Sequence, residues 1–111
     1  QEYTLYFDDD AVDQYFTWGV WTTSGNTFVK SDASAPTGAW VHVAGTYDGA
    51  TALFYVNGIQ VDSDTGTSGN VVDFDAVRFG ADIQGPQQFF NGLLDDIRLY
   101  NRALTAAVTD L

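Results

Sequence analysis

Apolar and polar residues alternate along most of the chain in short runs, a pattern typical of β-strands that bury one face. The clearest run is 40–47, where Val41, Val43 and Tyr47 fall on one face and Trp40 on the other, because successive side chains of a strand point to opposite faces. The same reasoning predicts further strands at 3–7, 15–22, 27–31, 53–56, 59–62, 71–74 and 76–79, and a last long strand within 89–100.

Clusters of Gly, Asn, Asp and Ser separate these runs roughly every 8–12 residues, the spacing of an antiparallel sandwich or barrel. Asn57-Gly58 predicts a two-residue hairpin, and Ser24-Gly25-Asn26 predicts another tight turn. Asp48-Gly49 and Asp8 to Asp10 are also predicted to be turns. The fold class predicted from the residues is therefore all-β.

The end of the chain has a different period. Leu104, Val108 and Leu111 follow Asn101 at helical spacing, which predicts one or two turns of helix at the C-terminus. With 111 residues in total, the chain fits a single domain.

Composition narrows the function classes. The chain has no Cys, which excludes a disulfide framework and a thiolate metal site. Its formal net charge of −11 would repel phosphate backbones, so nucleic-acid binding is not expected. No apolar run is long enough to span a bilayer, and membrane insertion is not expected either. Such an acidic surface attracts divalent cations, although it can also serve solubility alone.

Two sequence motifs carry a family resemblance. Residues 40–58 read WVHVAGTYDGATALFYVNG, and residues 90–105 read FNGLLDDIRLYNRALT. In this order and at about this separation, they resemble the laminin G-like, concanavalin A-like jelly-roll domains. The resemblance implies an antiparallel β-sandwich of jelly-roll type, with Trp40 as a bulky anchor between the sheets and 90–105 as the closing strand before a short helix.

The resemblance also exposes a departure, because members of the family usually carry several more strands ahead of these motifs. The chain is therefore interpreted either as one reduced domain over 1–111 or as the C-terminal portion of a larger one. Missing strands would leave open sheet edges, which proteins usually cover or pair. Self-association, or strands supplied by another chain, is an expected alternative.

Catalysis is not expected. Glycosidases of this fold need two carboxylates that flank the scissile bond, whereas Glu2 is the only Glu in the chain. Asp95 and Asp96 are adjacent, so on a strand they would point to opposite faces. His42, the only His, lies within a predicted strand and suits packing or hydrogen bonding better than a catalytic triad.

Calcium is the expected metal, because carboxylate and carbonyl oxygens suffice to bind it. Asp95 is the first candidate: it shares a predicted strand face with Ile97 and Leu99, and a carboxylate there needs a partner. The resemblance supports it, since many relatives hold Ca²⁺ near this strand. Burial with ordinary hydrogen bonds explains Asp95 equally well. Asp8 and Asp10 belong to a second acidic cluster, for which a plain acidic turn is the alternative.

Candidate ligand-binding residues are aromatic and amide side chains. Trp18 and Trp21 lie on one predicted strand but on opposite faces, and indole rings stack well on sugars. Gln84 and Gln87 belong to the predicted loop 82–88 and could bind sugar hydroxyls. The alternative is that both tryptophans only pack the sheets.

The sequence thus predicts a non-catalytic, extracellular binding or adhesion module for carbohydrate or glycoprotein, with structural Ca²⁺. The alternative is a structural subunit of an extracellular filament or surface assembly, paired through open strand edges.

Overall fold

A computed structural model describes residues 3–9, 14–31, 38–65, 68–70, 90 and 92–105. Six strands form two antiparallel sheets of three strands each within this part of the chain. The first sheet contains β1 (Tyr3–Asp9), β2 (Gln14–Thr22) and β3 (Gly25–Lys30) in that order. The second contains β4 (Val43–Tyr47), β5 (Ala52–Val56) and β6 (Ile59–Asp64), also in chain order. The all-β sandwich predicted from the sequence is confirmed.

The first sheet is built from aligned neighbours. Leu5 lies opposite Trp18 across β1 and β2, and Val29 lies opposite Trp18 across β2 and β3. The predicted turn at Asp8 to Asp10 is wrong for its first residues, because Asp8 and Asp9 extend β1 and pair with β2. Pairing with a formed neighbouring strand outweighs the low strand preference of aspartate.

Two turns of the second sheet confirm the sequence prediction. Asn57 (φ 50°) and Gly58 (φ 78°) both have positive φ, as a two-residue hairpin matched to strand twist requires. At the other end, the Oδ1 atom of Asp48 accepts hydrogen bonds from the backbone N–H groups of Ala50 (2.9 Å) and Thr51 (2.7 Å). An aspartate side chain stabilises a turn well in this way.

The core lies between the sheets. Val20 and Val29 of the first sheet cluster with Ala52 and Phe54 of the second, and all four side chains are fully buried. This cluster shows which face of each sheet is inward. Partly buried residues complete it: Phe16, Trp18, Val43, Tyr47, Val56 and Val61.

Trp18, not Trp40, is the tryptophan between the sheets. Its indole ring lies against Gly45 of β4, and its Nε1–H donates to the Thr46 carbonyl at 3.3 Å. The prediction that Trp40 anchors the core is wrong, since Trp40 precedes β4 and is 67% exposed. Only a residue without a side chain leaves room for an indole so close to the strand backbone, and Gly45 supplies that room.

Two sets of hydrogen bonds tie the sheets together outside the core. Along one side, Asp62 of β6 accepts from the Lys30 backbone N–H of β3 at 3.0 Å, and Asp64 accepts from the Thr27 hydroxyl. At one end, residues 68–70 bridge β2 and β4. The Thr22 hydroxyl donates to the Ser68 carbonyl (3.1 Å), and the Tyr47 hydroxyl donates to the Gly69 carbonyl (2.7 Å).

The predicted last strand is wrong for residues 92–100, which adopt no strand. Leu93, Leu99 and their neighbours are exposed. A strand needs a ladder of hydrogen bonds to a neighbour, and no described residue forms one with this segment. Residues 104 and 105 are not helical. The rest of the predicted helix, the predicted strands at 71–74 and 76–79, and the loop 82–88 lie outside the described residues.

Candidate binding face

The side of the first sheet that points away from the second sheet is the candidate site, and we call it the outward face. Alternation along β2 places Thr17, Gly19 and Trp21 on this face, because Val20 and its face belong to the core. The register adds residues from both neighbouring strands. The described members of the outward face are Thr4, Tyr6, Tyr15, Thr17, Gly19, Trp21, Asn26, Phe28 and Lys30.

Trp21 and Phe28 form an aromatic pair on the outward face. Their ring centroids are 5.3 Å apart and the rings are nearly perpendicular, at 89°. Phe28 is 40% exposed, and Trp21 is half-buried. An edge-to-face pair holds both rings in place. The free surface of the two rings is an apolar platform on an otherwise polar part of the sheet.

Gly19 gives the Phe28 ring its place. Phe28 lies directly opposite Gly19 across β2 and β3. A β-carbon on Gly19 would stand 2.8 Å from Cε1 of Phe28 and 2.9 Å from Cγ2 of Thr4. The absence of a side chain at position 19 therefore lets the ring lie low over the strand, so that the platform stays close to the sheet.

Thr17 is the unusual polar member of the outward face. Its side chain is fully buried, and its hydroxyl has no hydrogen-bond partner within the part of the chain that the structure describes. A buried hydroxyl without a partner costs about 1–3 kcal/mol. Tyr6 and Lys30 are its direct cross-strand neighbours.

The two predicted tryptophans do not share a site. Trp21 lies on the outward face, whereas Trp18 lies between the sheets, stacked on Tyr3 at a centroid distance of 5.2 Å. The indole N–H of Trp18 is already bonded to Thr46. Trp18 therefore packs between the sheets, which was the alternative to a ligand-binding role for this residue. Gln84 and Gln87 lie outside the described residues.

The structure describes the surroundings of one predicted metal ligand, Asp95. Asp95 is exposed, and its Oδ1 accepts from the Asp96 backbone N–H at 2.8 Å. Asp96 pairs with Arg98 at 3.2 Å. Hydrogen bonds to Tyr100 first, and to Asp96 second, raise the pKa of Arg98 further, so its guanidinium stays protonated. Asp8 lies in β1, but the structure does not describe its side chain. Asp10 lies outside the described residues.

No cluster of three or more potential metal ligands occurs among the residues that the structure covers. The described residues therefore do not assemble a calcium site around Asp95. Nor does any described helix have the length and apolar character needed to cross a bilayer.

Phe28 and Thr17 are the functional candidates that sequence reasoning missed. The position of Phe28 was predictable from the sequence, because the hairpin turn at Ser24 sets the register of β2 and β3. In this register Phe28 lies on the same face of the sheet as Trp21. The turn lies at Thr23-Ser24, one residue earlier than predicted. Burial of the Thr17 hydroxyl leaves no signal in the sequence.

Comparisons with known proteins agree with this architecture. The model of the concanavalin A-like lectin/glucanases superfamily matches residues 1–108. The chain belongs to this family, and the laminin G-like resemblance is confirmed. Such a fold fits a module of an extracellular or surface protein. Comparison with curated proteins found no match.

One solved structure shares the fold. It is an S-layer domain-containing protein (residues 221–444) from Clostridium thermocellum, with a TM-score of 0.61 and 21% sequence identity. The match covers 98% of this chain but 62% of that one, so the chain spans less than two thirds of its length.

Proposed function

We propose that this domain is a non-catalytic extracellular module that binds carbohydrate, free or carried by a glycoprotein, on its outward face. The observation that carries the proposal is the Trp21–Phe28 pair, which presents apolar ring surface beside polar side chains. Sugar rings have apolar faces edged by hydroxyls, so they match aromatic rings that are flanked by hydrogen-bonding groups.

The polar groups beside the rings suit this ligand. Asn26 lies opposite Trp21, and Thr4 contacts the region of Gly19. Amides and hydroxyls both donate and accept hydrogen bonds, as sugar hydroxyls do. Membership of a superfamily of lectins and glucanases is compatible with a sugar ligand. The binding role is preferred to hydrolysis because glycosidases of this fold need two carboxylates that flank the scissile bond, whereas Glu2 is the only Glu in the chain.

Retention on a glycan array tests this proposal, with Trp21→Ala as the test variant and Trp40→Ala as the matched control. Both substitutions remove a surface tryptophan, but Trp40 lies outside the outward face and is 67% exposed. We expect Trp21→Ala to weaken retention about tenfold or more, since stacking on aromatic rings contributes on the order of 1 kcal/mol beyond buried area. Equal retention of all three proteins would contradict the proposal.

Structural Ca²⁺ stays a prediction of the family resemblance, without support from the described Asp95 geometry. A cation that binds only the folded protein raises its melting temperature. Melting in calcium and in chelator therefore decides the question: a lower melting temperature in chelator supports the site, and equal temperatures contradict it.

A structural subunit of a surface assembly is the second candidate function. The specific observation in its favour is the exposed apolar segment 93–100, where Leu93 is 77% and Leu99 73% exposed. Apolar surface of this kind marks contacts with other proteins, and the S-layer domain-containing protein shares the fold. Light scattering across concentrations tests it: growing polymers support assembly, and a constant mass contradicts it.

A further inference from the structure

We propose that Thr17 and the Trp21–Phe28 pair form one binding site for an uncharged sugar chain, in which a sugar hydroxyl supplies the missing partner of the Thr17 hydroxyl. This inference rests on the proposed carbohydrate function and specifies the site and the ligand class. Its basis is the coincidence, on one sheet face, of an aromatic platform and a buried polar group that lacks a partner.

The Thr17 hydroxyl lacks a partner among the described residues, which is unusual for a buried polar group. A threonine on a sheet surface normally shows its hydroxyl to water or bonds it to a neighbour. Thr17 does neither, although Thr22 and Thr27, also buried and in the same sheet, both bond their hydroxyls. Native structures leave few buried polar atoms without a partner, and each exception calls for a structural or functional reason.

Thr17 lies on the same face as the aromatic pair. Thr17 and Trp21 lie on the same face of β2, four residues and therefore about 13 Å apart. Gly19 lies between them and carries the overlying Phe28 ring. The outward face is thus apolar toward Trp21 and polar toward Thr17, so an extended ligand could stack at one end and hydrogen-bond at the other.

A ligand reaches the Thr17 hydroxyl only if a neighbouring side chain moves. Tyr6 and Lys30 flank it across the two neighbouring strands. Lys30 is exposed, and its long stem has several rotatable bonds. A shift of the flexible Lys30 side chain would open Thr17 to a ligand, at the cost of the interaction that Lys30 makes in the free protein, and its ammonium can then donate to a ligand oxygen.

Charge selects the class of sugar. The chain carries a formal net charge of −11 and a single Lys. Sulfated or carboxylated glycans would be repelled by such a surface, whereas neutral glycans are not affected. Binding to an uncharged sugar should also depend little on salt, since no ion pairs are screened.

The test combines two readouts on Thr17→Val and Thr17→Ser. Valine has the shape of threonine without the hydroxyl, so Thr17→Val should raise the melting temperature of the free protein by removing an unpaired buried group. The same change should weaken binding to a neutral polysaccharide about tenfold, through loss of one hydrogen bond to the ligand. Thr17→Ser keeps the hydroxyl and should keep the affinity.

The probes are soluble xylan, β-glucan and galactomannan in affinity gels, with heparin as the anionic comparison. If wild-type protein is retained by no glycan, the proposed function fails, and this inference fails with it. If it is retained and Thr17→Val binds equally well, only this inference fails. A lower melting temperature of Thr17→Val would show that the hydroxyl is already bonded in the free protein, and would overturn the inference. Retention by heparin alone would overturn the uncharged class.

Discussion

The indole ring of Trp18 occupies the space that a β-carbon on Gly45 would fill. The two residues come from different sheets, and the Trp18 Nε1–H also donates to the carbonyl of Thr46, next to Gly45. This contact sets how closely β2 and β4 approach at this point. It depends on a glycine in a strand interior, which otherwise weakens a strand.

Gly45→Ala should therefore destabilise the domain by about 3 kcal/mol, the upper part of the range for overpacked cores. The added methyl meets a rigid ring and not the end of a flexible chain. Urea unfolding measures the effect. In a Trp18→Leu background the same substitution should cost much less, because the ring it strikes is gone. Equal costs in both backgrounds would contradict the contact.

The side chain of Asp64 should contribute more to the free energy of unfolding than the side chain of Ser63, its neighbour on β6. It accepts from the hydroxyl of Thr27, which is 3% exposed. Asp64→Ala leaves that hydroxyl without this acceptor and should cost about 1–3 kcal/mol in the free energy of unfolding. Ser63→Ala is the matched control, since Ser63 is exposed on the same strand. A similar small effect of both changes would show that the β3–β6 contact adds little.

Stability at high pH should depend on Tyr47. Burial first, and the charge of Asp48 second, raise the pKa of the Tyr47 phenol above 10.0. The folded state therefore holds this proton more tightly than the unfolded state, so its contribution is complete below the unfolded pKa and is lost as pH rises through the folded pKa. Tyr47→Phe should flatten the loss of melting temperature above about pH 10.

Tyr47→Phe should also lower stability at pH 7 by about 1 kcal/mol, because its hydroxyl no longer donates to the Gly69 carbonyl. Hydrogen exchange at Gly69, whose N–H bonds to the Gly49 carbonyl at 3.0 Å, should become faster. Unchanged exchange there would contradict a role of Tyr47 in holding residues 68–70.

Acid should weaken the turn at Asp48. Backbone N–H donors of Thr51 first, and Ala50 second, lower the pKa of the Asp48 carboxyl from 3.8. This contribution is present above the unfolded pKa and is lost as pH falls through the lower folded pKa. Asp48→Asn keeps an acceptor oxygen but not the charge, so its melting temperature should fall less steeply below about pH 4. An identical acid profile would contradict the assignment.

Local signals made much of the sandwich predictable from the sequence. Alternation identified all six described strands, and Asn57-Gly58 identified its hairpin because both positions require positive φ. The choice between Trp18 and Trp40 was not predictable from either tryptophan. Gly45 determines which tryptophan enters the core, because it leaves room for the Trp18 ring. This contact joins residues that are distant in sequence, so the sequence pattern did not predict it.

Features that depend on tertiary partners were harder to predict. Residues 92–100 have the composition of a strand, but a strand also needs a neighbour to pair with. Trp21 was identified as a candidate from its residue type. Phe28 required the register of β2 and β3, and Thr17 required knowledge of what buries it.

Carbohydrate binding at the outward face can be measured by calorimetric titration of a neutral glycan that the array retains into wild-type protein, Trp21→Ala and Trp40→Ala. We expect Trp40→Ala to match wild type and Trp21→Ala to bind about tenfold or more weakly, because Trp21 belongs to the outward-face platform and Trp40 does not. Equal affinities of wild type and Trp21→Ala, or no heat of binding with wild type, would contradict a carbohydrate site on the outward face.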